Sequence, residues 1–451
     1  FLKGYIKKKK MGFLIQKIFH IQFLIFKFLS IYFVNNQVRV LSQKKHIKDF
    51  KICFFGNIAN NHYSTIKELR KHNFKVSLVV SNYFDSYKFN NPISDDVSFN
   101  WKDFNQIKKK KVKNVTYTRQ FEKFSHYENF FSHIANIKKK YQDYFNVKLS
   151  FFDTVLLSTV WSHWNTIKKF KEYDFIVFSS GGIQLAPFCC RPYAIFPTGN
   201  DSYQLPFEKS FEGKIYNLAY RKANIITPGT SNPNNYQFDT LKKLKIEEKR
   251  IIPQKLLYLK NDYKIKNKNN NNKSLFVFFS SCRHDWNEKR NNLIIEALKK
   301  FKSKKFIFFF IDYGHDIQKS KNLINTLGLN KKFKFLPICS KKKIRHLISN
   351  SDLVFEQLGR NGYSAGAFES MMLSKPVIMR YDNQITKTKY NFAPIIHAKS
   401  RNDIEKIIDD FFKKPKKYLE IGAKARKWML KNRSGYENAK IYVKNLLINS
   451  F

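Results

Sequence analysis

Carboxylates are scarce in this chain: 34 Asp and Glu stand against 84 Lys and Arg over 451 residues, a formal net charge of +50. Such an excess points toward anionic partners, nucleic acid first among them. Yet RNP1 segments and C₂H₂ fingers are missing. The excess is mainly Lys, spread along the chain beside abundant Asn, Ile and Phe, all residues of A/T-rich codons. Compositional bias therefore accounts for much of the charge. No nucleic acid is expected as a partner, whereas anionic lipid headgroups and a nucleotide diphosphate suit a basic protein. Cysteine is also sparse. Cys53, Cys189, Cys190, Cys282 and Cys339 are odd in number and form no C-x-x-C pair, which excludes a disulfide framework and reads as buried thiols in a reducing compartment. The chain shows no histidine pair at metal-ligand spacing, no G-x-S-x-G elbow, no Walker loop and no G-x-G-x-x-G. A zinc or haem site, an elbow hydrolase, a P-loop enzyme and a dinucleotide site are thereby left without support.

What the chain does have is length for two cores and a repeated strand–helix grammar. From 275 to 396, apolar runs such as 275–279 and FIFFFI at 306–311 alternate with helical patterns, which predicts a doubly wound parallel sheet. Gly314 and Gly328 read as a turn and a helix C-cap. The first half repeats the pattern more weakly, with strands over 51–55, 76–80, 174–179 and 193–196, and a proline turn after Gly181 and Gly182. KIKNKNNNNK at 264–273 has too little apolar content to pack and reads as a linker. The predicted organisation is a basic extension (1–49), a Rossmann-like domain (50–263), the linker (264–273), a second Rossmann-like domain (274–430) and a terminal helical segment (431–451). Between 83 and 164 a helix is expected around 121–144, but nothing there names a ligand.

The chemistry concentrates in 351–380, SDLVFEQLGRNGYSAGAFESMMLSKPVIMR. Gly362, Ser364, Ala365 and Gly366 leave the backbone uncrowded where a helix begins, so unpaired N–H groups and the positive dipole end can meet a phosphate. One turn on, Glu369 offers a carboxylate to ribose hydroxyls. The plainer reading is a βαβ crossover whose glycines merely pack. Upstream, Arg283 and Lys289 follow a buried strand, and two cations at a strand end stabilise a departing diphosphate. A lone Lys in so basic a chain is more often a solvated surface group.

The wording of these segments resembles the GT-B glycosyltransferases known as glycosyl transferases group 1, family 4. Asn361, Gly362, Tyr363 and Ser364 stand where that family has Glu-Gly-Phe-Gly, Glu369 where it has its second Glu, and 374–378 (SKPVI) where it has Gly-Lys-Pro-Val-Ile. RHDWNEKR at 283–290 is similar to the Arg-x-Asp-Trp-x-x-Lys-Gly form, with Arg290 in place of Gly. PTGND at 197–201 is similar to a His-Gly-x-Asp segment of the acceptor domain, with Thr198 in place of His. The resemblance implies an α/β GT-B fold of two Rossmann-like domains facing a cleft. It also implies a nucleotide-sugar donor, a saccharide or lipid-linked acceptor, retention at the anomeric carbon and no resident cofactor or metal. Arg283 and Lys289 would meet the diphosphate, Glu369 the ribose and Asn361 the sugar, Asp201 would hold the acceptor or donor sugar as a catalytic residue, and Gly199 would line the acceptor side with Gly56 and Asn57, whose glycine-led turn can admit a substrate phosphate or sugar. Asp201 also reads as a plain turn residue, or, in an inverting enzyme, as a general base. An inactive GT-B scaffold and a phosphate-backbone binder remain the alternative readings.

The opening segment bears on location. Met11 is expected to be the start, and 11–34 (MGFLIQKIFHIQFLIFKFLSIYFV) is long enough to span a bilayer. Lys17 and Lys27 oppose insertion by about 2.5–3.5 kcal/mol each near the bilayer centre. Gln16, His20, Lys27 and Ser30 fall on one helical face, which favours an amphipathic helix in the headgroup plane at the cytoplasmic leaflet. No small-x-small site follows it, so a signal peptide is the weaker reading.

Overall fold

The computed structural model describes residues 46–56, 61–81, 115–118, 164–209, 211–229, 236–265, 275–381 and 393–447. The expected 11–34 and 121–144 helices, Asn57 and most of the linker lie outside these residues.

Two six-stranded sheets organise the chain. The first holds β1 (Ile52–Phe55), β2 (Val76–Ser81), β3 (Val115–Thr118), β4 (Phe175–Ser179), β5 (Tyr193–Phe196) and β6 (Ile225–Ile226). The second holds β7 (Phe276–Ser280), β8 (Phe306–Ile311), β9 (Phe333–Leu336), β10 (Leu353–Phe355), β11 (Val377–Met379) and β12 (Ile396–His397). Their orders, β3-β2-β1-β4-β5-β6 and β9-β8-β7-β10-β11-β12, are the same order, that of dinucleotide-binding folds. Every strand pair is parallel. Continuous apolar runs without polar alternation are what a sheet covered on both faces requires. The strand bounds fall within a residue or two of the apolar runs that predict them, and the two-domain Rossmann-like architecture expected from the sequence is present.

Alternation within each strand feeds two cores. Ile52 and Phe54 face one apolar cluster while Cys53 and Phe55 face another. In the second sheet Phe278 packs among Phe306, Phe308, Phe355 and Phe411, with ring centroids 5.3–6.4 Å away. Its neighbour Phe279 turns to the opposite face. The first of these clusters is shared between the lobes, joining Phe54 and Leu78 to Val354 and Met371 through Leu257, Tyr258 and Tyr442. Helix Tyr436–Leu447 lies against the first lobe, with Gln254 Nε2 donating to the Tyr442 carbonyl at 2.8 Å. Just before it, buried Arg433 places its guanidinium 3.9 Å over the Phe368 ring of the second lobe, and its carbonyl accepts from Tyr258 N at 2.8 Å. This seam holds the lobes together along one side.

One local feature differs from the sequence reading. The expected turn after Gly181 and Gly182 is a 3₁₀ helix, Ser180–Phe188, because Ile183, Leu185 and Phe188 are drawn into the first lobe's core. Arg290, where the related segments carry Gly, has φ of 52°, the left-handed conformation that explains the glycine preference there. Gly328 follows helix Ile317–Thr326 with φ of 63°. Its N–H reaches Asn325 O and that of Leu329 reaches Ile324 O, both at 2.9 Å, a Schellman cap as expected. All five cysteines are free thiols. Among the described residues no helix is long and apolar enough to cross a membrane.

Candidate donor and acceptor site

The second sheet reverses direction between β7 and β10, which pair with Leu353 opposite Phe278 and Val354 opposite Phe279. Loops leaving such a pair open a crevice at the carboxyl ends of the strands. Here they are 281–290 after β7 and 356–364 after β10, and they touch. A β-carbon at Gly359 would lie 2.4 Å from Asn287 O and 2.6 Å from Glu288 O, so only glycine lets the two loops approach this closely.

The crevice is anchored by Glu356, a buried carboxyl at the end of β10. It accepts from Ser364 Oγ at 2.8 Å, from Ser281 Oγ at 3.3 Å and from Cys282 Sγ at 3.3 Å. Burial raises its pKa, while Lys289 and these hydrogen bonds pull the other way. Ser364 also caps helix Ala365–Met372, accepting from Ala367 N at 3.1 Å. The amides of Ala365 and Gly366 begin that helix and have no ladder partner of their own. Lys289 Nζ donates to Gln357 Oε1 at 2.7 Å, and Gln357 Nε2 donates to Gly362 O at 3.0 Å. Lys289, Gly362, Ser364, Ala365 and Gly366 are thus assembled around one crevice floor, with half-buried Asn361 in the same loop.

Glu369 is buried on that helix. Its Oε1 pairs with Lys341 Nζ at 2.9 Å, while Oε2 is buried and has no protein partner. An orphaned carboxylate oxygen of this kind suits a hydroxyl-bearing ligand.

Arg283 is turned toward its own loop. Its Nη2 reaches Asp285 Oδ2 at 2.9 Å and also pairs with Glu288. Burial lowers the guanidinium pKa, but these carboxylates outweigh it and leave the net value raised. Asp285 shapes the loop by accepting from the Asn287 and Glu288 amides at 3.1 and 2.9 Å. His284 is buried beneath, 2.8 Å from Ser320 Oγ, and burial lowers its pKa to about 4, so it is neutral. Among the described residues Asp285, His315 and Asp316 come within metal-ligand reach of one another. Their carboxylates already serve backbone amides, Arg283 and Lys319.

The first lobe contributes two loop ends. Gly56, with φ of 87°, packs against Ser179 at the carboxyl ends of β1 and β4, and its carbonyl accepts from His62 Nδ1 at 2.9 Å. Burial lowers the His62 pKa to about 4. Asp201 is buried, and both its oxygens turn back on its own loop, accepting from Thr198 N at 3.1–3.2 Å, from Thr198 Oγ1 at 3.1 Å and from Gly199 N at 2.5 Å. Burial raises its pKa, these bonds opposing. The short helix Asn200–Tyr203, with Asp201 in its first turn, ends at Tyr203. There the Arg360 guanidinium of the second lobe stands 4.8 Å from the Tyr203 ring centre. Glu356, Gln357, Lys341, Arg360 and Tyr203 were not expected from the sequence.

Two Rossmann-like lobes meeting at a cleft, with such a crevice on the second, are the GT-B architecture. Residues 261–428, which hold most of the second lobe, match the family model Glycosyl transferases group 1, and the chain is, by class, a glycosyltransferase. No curated protein matches the sequence. Among solved structures, Anabaena Alr3699/HepE in complex with UDP and glucose is similar over 88% of this chain and 100% of its own, at 12% identity and TM-score 0.60. TarM of S. aureus, solved with fondaparinux, alpha-GlcNAc-glycerol and UDP, matches over 89% and 99% at 13% identity and TM-score 0.56. Sucrose-phosphate synthase of Thermosynechococcus elongatus matches over 86% and 96% at 11% identity and TM-score 0.55. At these identities the likeness is one of fold.

Proposed function

We propose that this protein transfers a sugar, with retention, from a nucleotide-diphosphate sugar to a saccharide or lipid-linked acceptor in the synthesis of a cell-surface polysaccharide. The observation that carries the reading is the crevice between β7 and β10. It sets Lys289 and the start of helix Ala365–Met372 beside Glu369, whose buried oxygen lacks a protein partner. Lys289, the helix-start amides and Arg283 would offset the charge of the leaving diphosphate. Glu369 would hold the ribose and Asn361 the sugar. Gly56, Asn57, Gly199 and Asp201 would frame the acceptor side. This reading assigns the charge to protein groups and calls on no resident cofactor. Asp201, already engaged by Thr198 and Gly199, supports a retaining scheme in which the donor phosphate takes the acceptor's proton. UDP in the similar HepE and TarM structures favours a uridine donor. Work at an anionic membrane surface follows from the basic chain and its amphipathic 11–34 segment.

The test is incubation of the purified chain with a panel of nucleotide sugars, reading released nucleotide by mass spectrometry, and sedimentation with anionic vesicles with and without residues 1–36. Release from none of the panel, with no thermal stabilisation by any nucleoside diphosphate, would favour an inactive scaffold. Equal sedimentation of both forms would remove the 11–34 segment as the anchor.

A further inference from the structure

Glu288 holds two guanidiniums at once. One oxygen pairs with Arg283 from the loop after β7, the other with Arg360 from the loop after β10, the two strands that flank the crevice. Two guanidiniums closing on one small anion is the arrangement arginines adopt around a phosphate. The three side chains are only partly covered, at 43% exposure for Arg283, 35% for Arg360 and 25% for Glu288, so exchange of one anion for another costs little desolvation. The backbone of this corner is closely packed. Gly359 is pressed against the Asn287 and Glu288 carbonyls, and Asp285 fixes the Glu288 amide at 2.9 Å. The carboxylate can therefore leave without moving the loops. Lys289 follows Glu288 directly and reaches Gln357 across the same crevice. Arg360 has a second contact, its Nη2 lying 3.3 Å from Tyr203 Oη of the opposite lobe.

We propose that Glu288 occupies the place of a donor phosphate, and that Arg360 is a third diphosphate-binding cation beside Arg283 and Lys289, which the incoming nucleotide takes over together with Arg283. The inference rests on the nucleotide-sugar reading above. Glu288 is then a competitor of the ligand, not a support for it, and this fixes the sign of its effect. Arg360 carries the exchange across the cleft, since the cation that receives the phosphate also stacks on Tyr203.

The experiment is calorimetric titration of UDP, GDP and ADP into the full chain and into Glu288→Gln, Arg360→Gln and the double variant, each checked for its urea unfolding midpoint. Glu288→Gln is expected to bind the preferred nucleotide about fivefold or more tightly, the low end of ordinary coupling between sites. Arg360→Gln is expected to weaken binding by about tenfold, the loss of a charge-assisted bond, and in the double variant the gain from Glu288→Gln should shrink. If Glu288 merely braces the two arginines, its removal weakens binding, and that result, or an unchanged affinity, overturns the proposal. Should Glu288→Gln not fold, an unchanged affinity in Arg360→Gln overturns it alone. Absence of binding by every nucleotide to the unaltered chain would sink the nucleotide-sugar reading itself.

Discussion

Gly366 is the second residue of helix Ala365–Met372, a place where alanine would ordinarily stabilise the fold. Gly→Ala in a helix gains about 0.8–1 kcal/mol. At this position, however, the new methyl would lie 2.2 Å from Glu356 Oε1, 2.9 Å from its Cδ and 3.2 Å from Oε2. The carboxyl must move away, and it is held at 2.8 Å by Ser364 and at 3.3 Å by both Ser281 and Cys282. Counted as ordinary bonds at about 0.5–1.5 kcal/mol each, those contacts together outweigh the helix gain. Gly366→Ala should therefore cost about 1–3 kcal/mol. Urea unfolding followed by circular dichroism would show a lower midpoint at unchanged slope. A double-mutant cycle sharpens the point: in a Glu356→Ala background the obstruction is gone, and the same Gly366→Ala change should stabilise by up to about 1 kcal/mol. A midpoint that rises in the otherwise unaltered chain would refute the claim that Glu356 is locked against the helix start.

Two further outcomes follow from the loop after β7. Arg283→Ala should lower turnover by about 10²-fold or more in the nucleotide-release assay, the scale of losing one transition-state donor; an unchanged rate would take Arg283 out of the site. Arg290 sits at φ of 52°, where a β-carbon costs about 1–2 kcal/mol, so Arg290→Gly should raise the unfolding free energy by about 0.5–1 kcal/mol after the added freedom of the unfolded chain is subtracted. A destabilised Arg290→Gly would show that the side chain contributes more than the strained backbone costs.

The fold was legible because its strands are written in uninterrupted apolar residues. FIFFFI at Phe306–Ile311 offers no polar face, and such runs are the mark of a parallel sheet covered on both faces. The helix-start residues of the donor lobe were legible for a similar local reason, glycine and serine standing where a helix begins. Glu356 was not. A carboxylate just past a strand reads as a surface turn, and only the approach of Ser281 and Cys282, some 75 residues earlier in the chain, turns it into a buried anchor. The available signal was its position: an acidic residue in an acid-poor chain, directly after an apolar strand that faces the expected crevice. Lys341 and Arg360 were hidden by the surrounding excess of basic residues, which makes each cation look like any other until a partner is seen. Asp201 shows the opposite limit. Its turn role and its substrate role make the same local sequence, so the segment left both readings open, and its burial comes only from the structure.

The contacts between the lobes fall into two kinds, and the difference says where this molecule can move. Along the seam, Arg433 is buried among Phe368, Tyr363 and Trp428, and Gln254 binds the Tyr442 carbonyl with both partners out of water. Breaking such a contact strands a buried charge or amide, at a cost of several kcal/mol for the charge. At the cleft mouth, Arg360 meets Tyr203 partly in solvent, an interaction of about 0.5–1 kcal/mol. Thermal motion opens the second long before it disturbs the first, so the lobes are expected to hinge about the 433–442 seam while the mouth opens and closes. An anion that takes Arg360 from Glu288 acts at this weak contact and leaves the seam untouched, and a small difference in its affinity for the open and closed forms is then enough to shift the cleft.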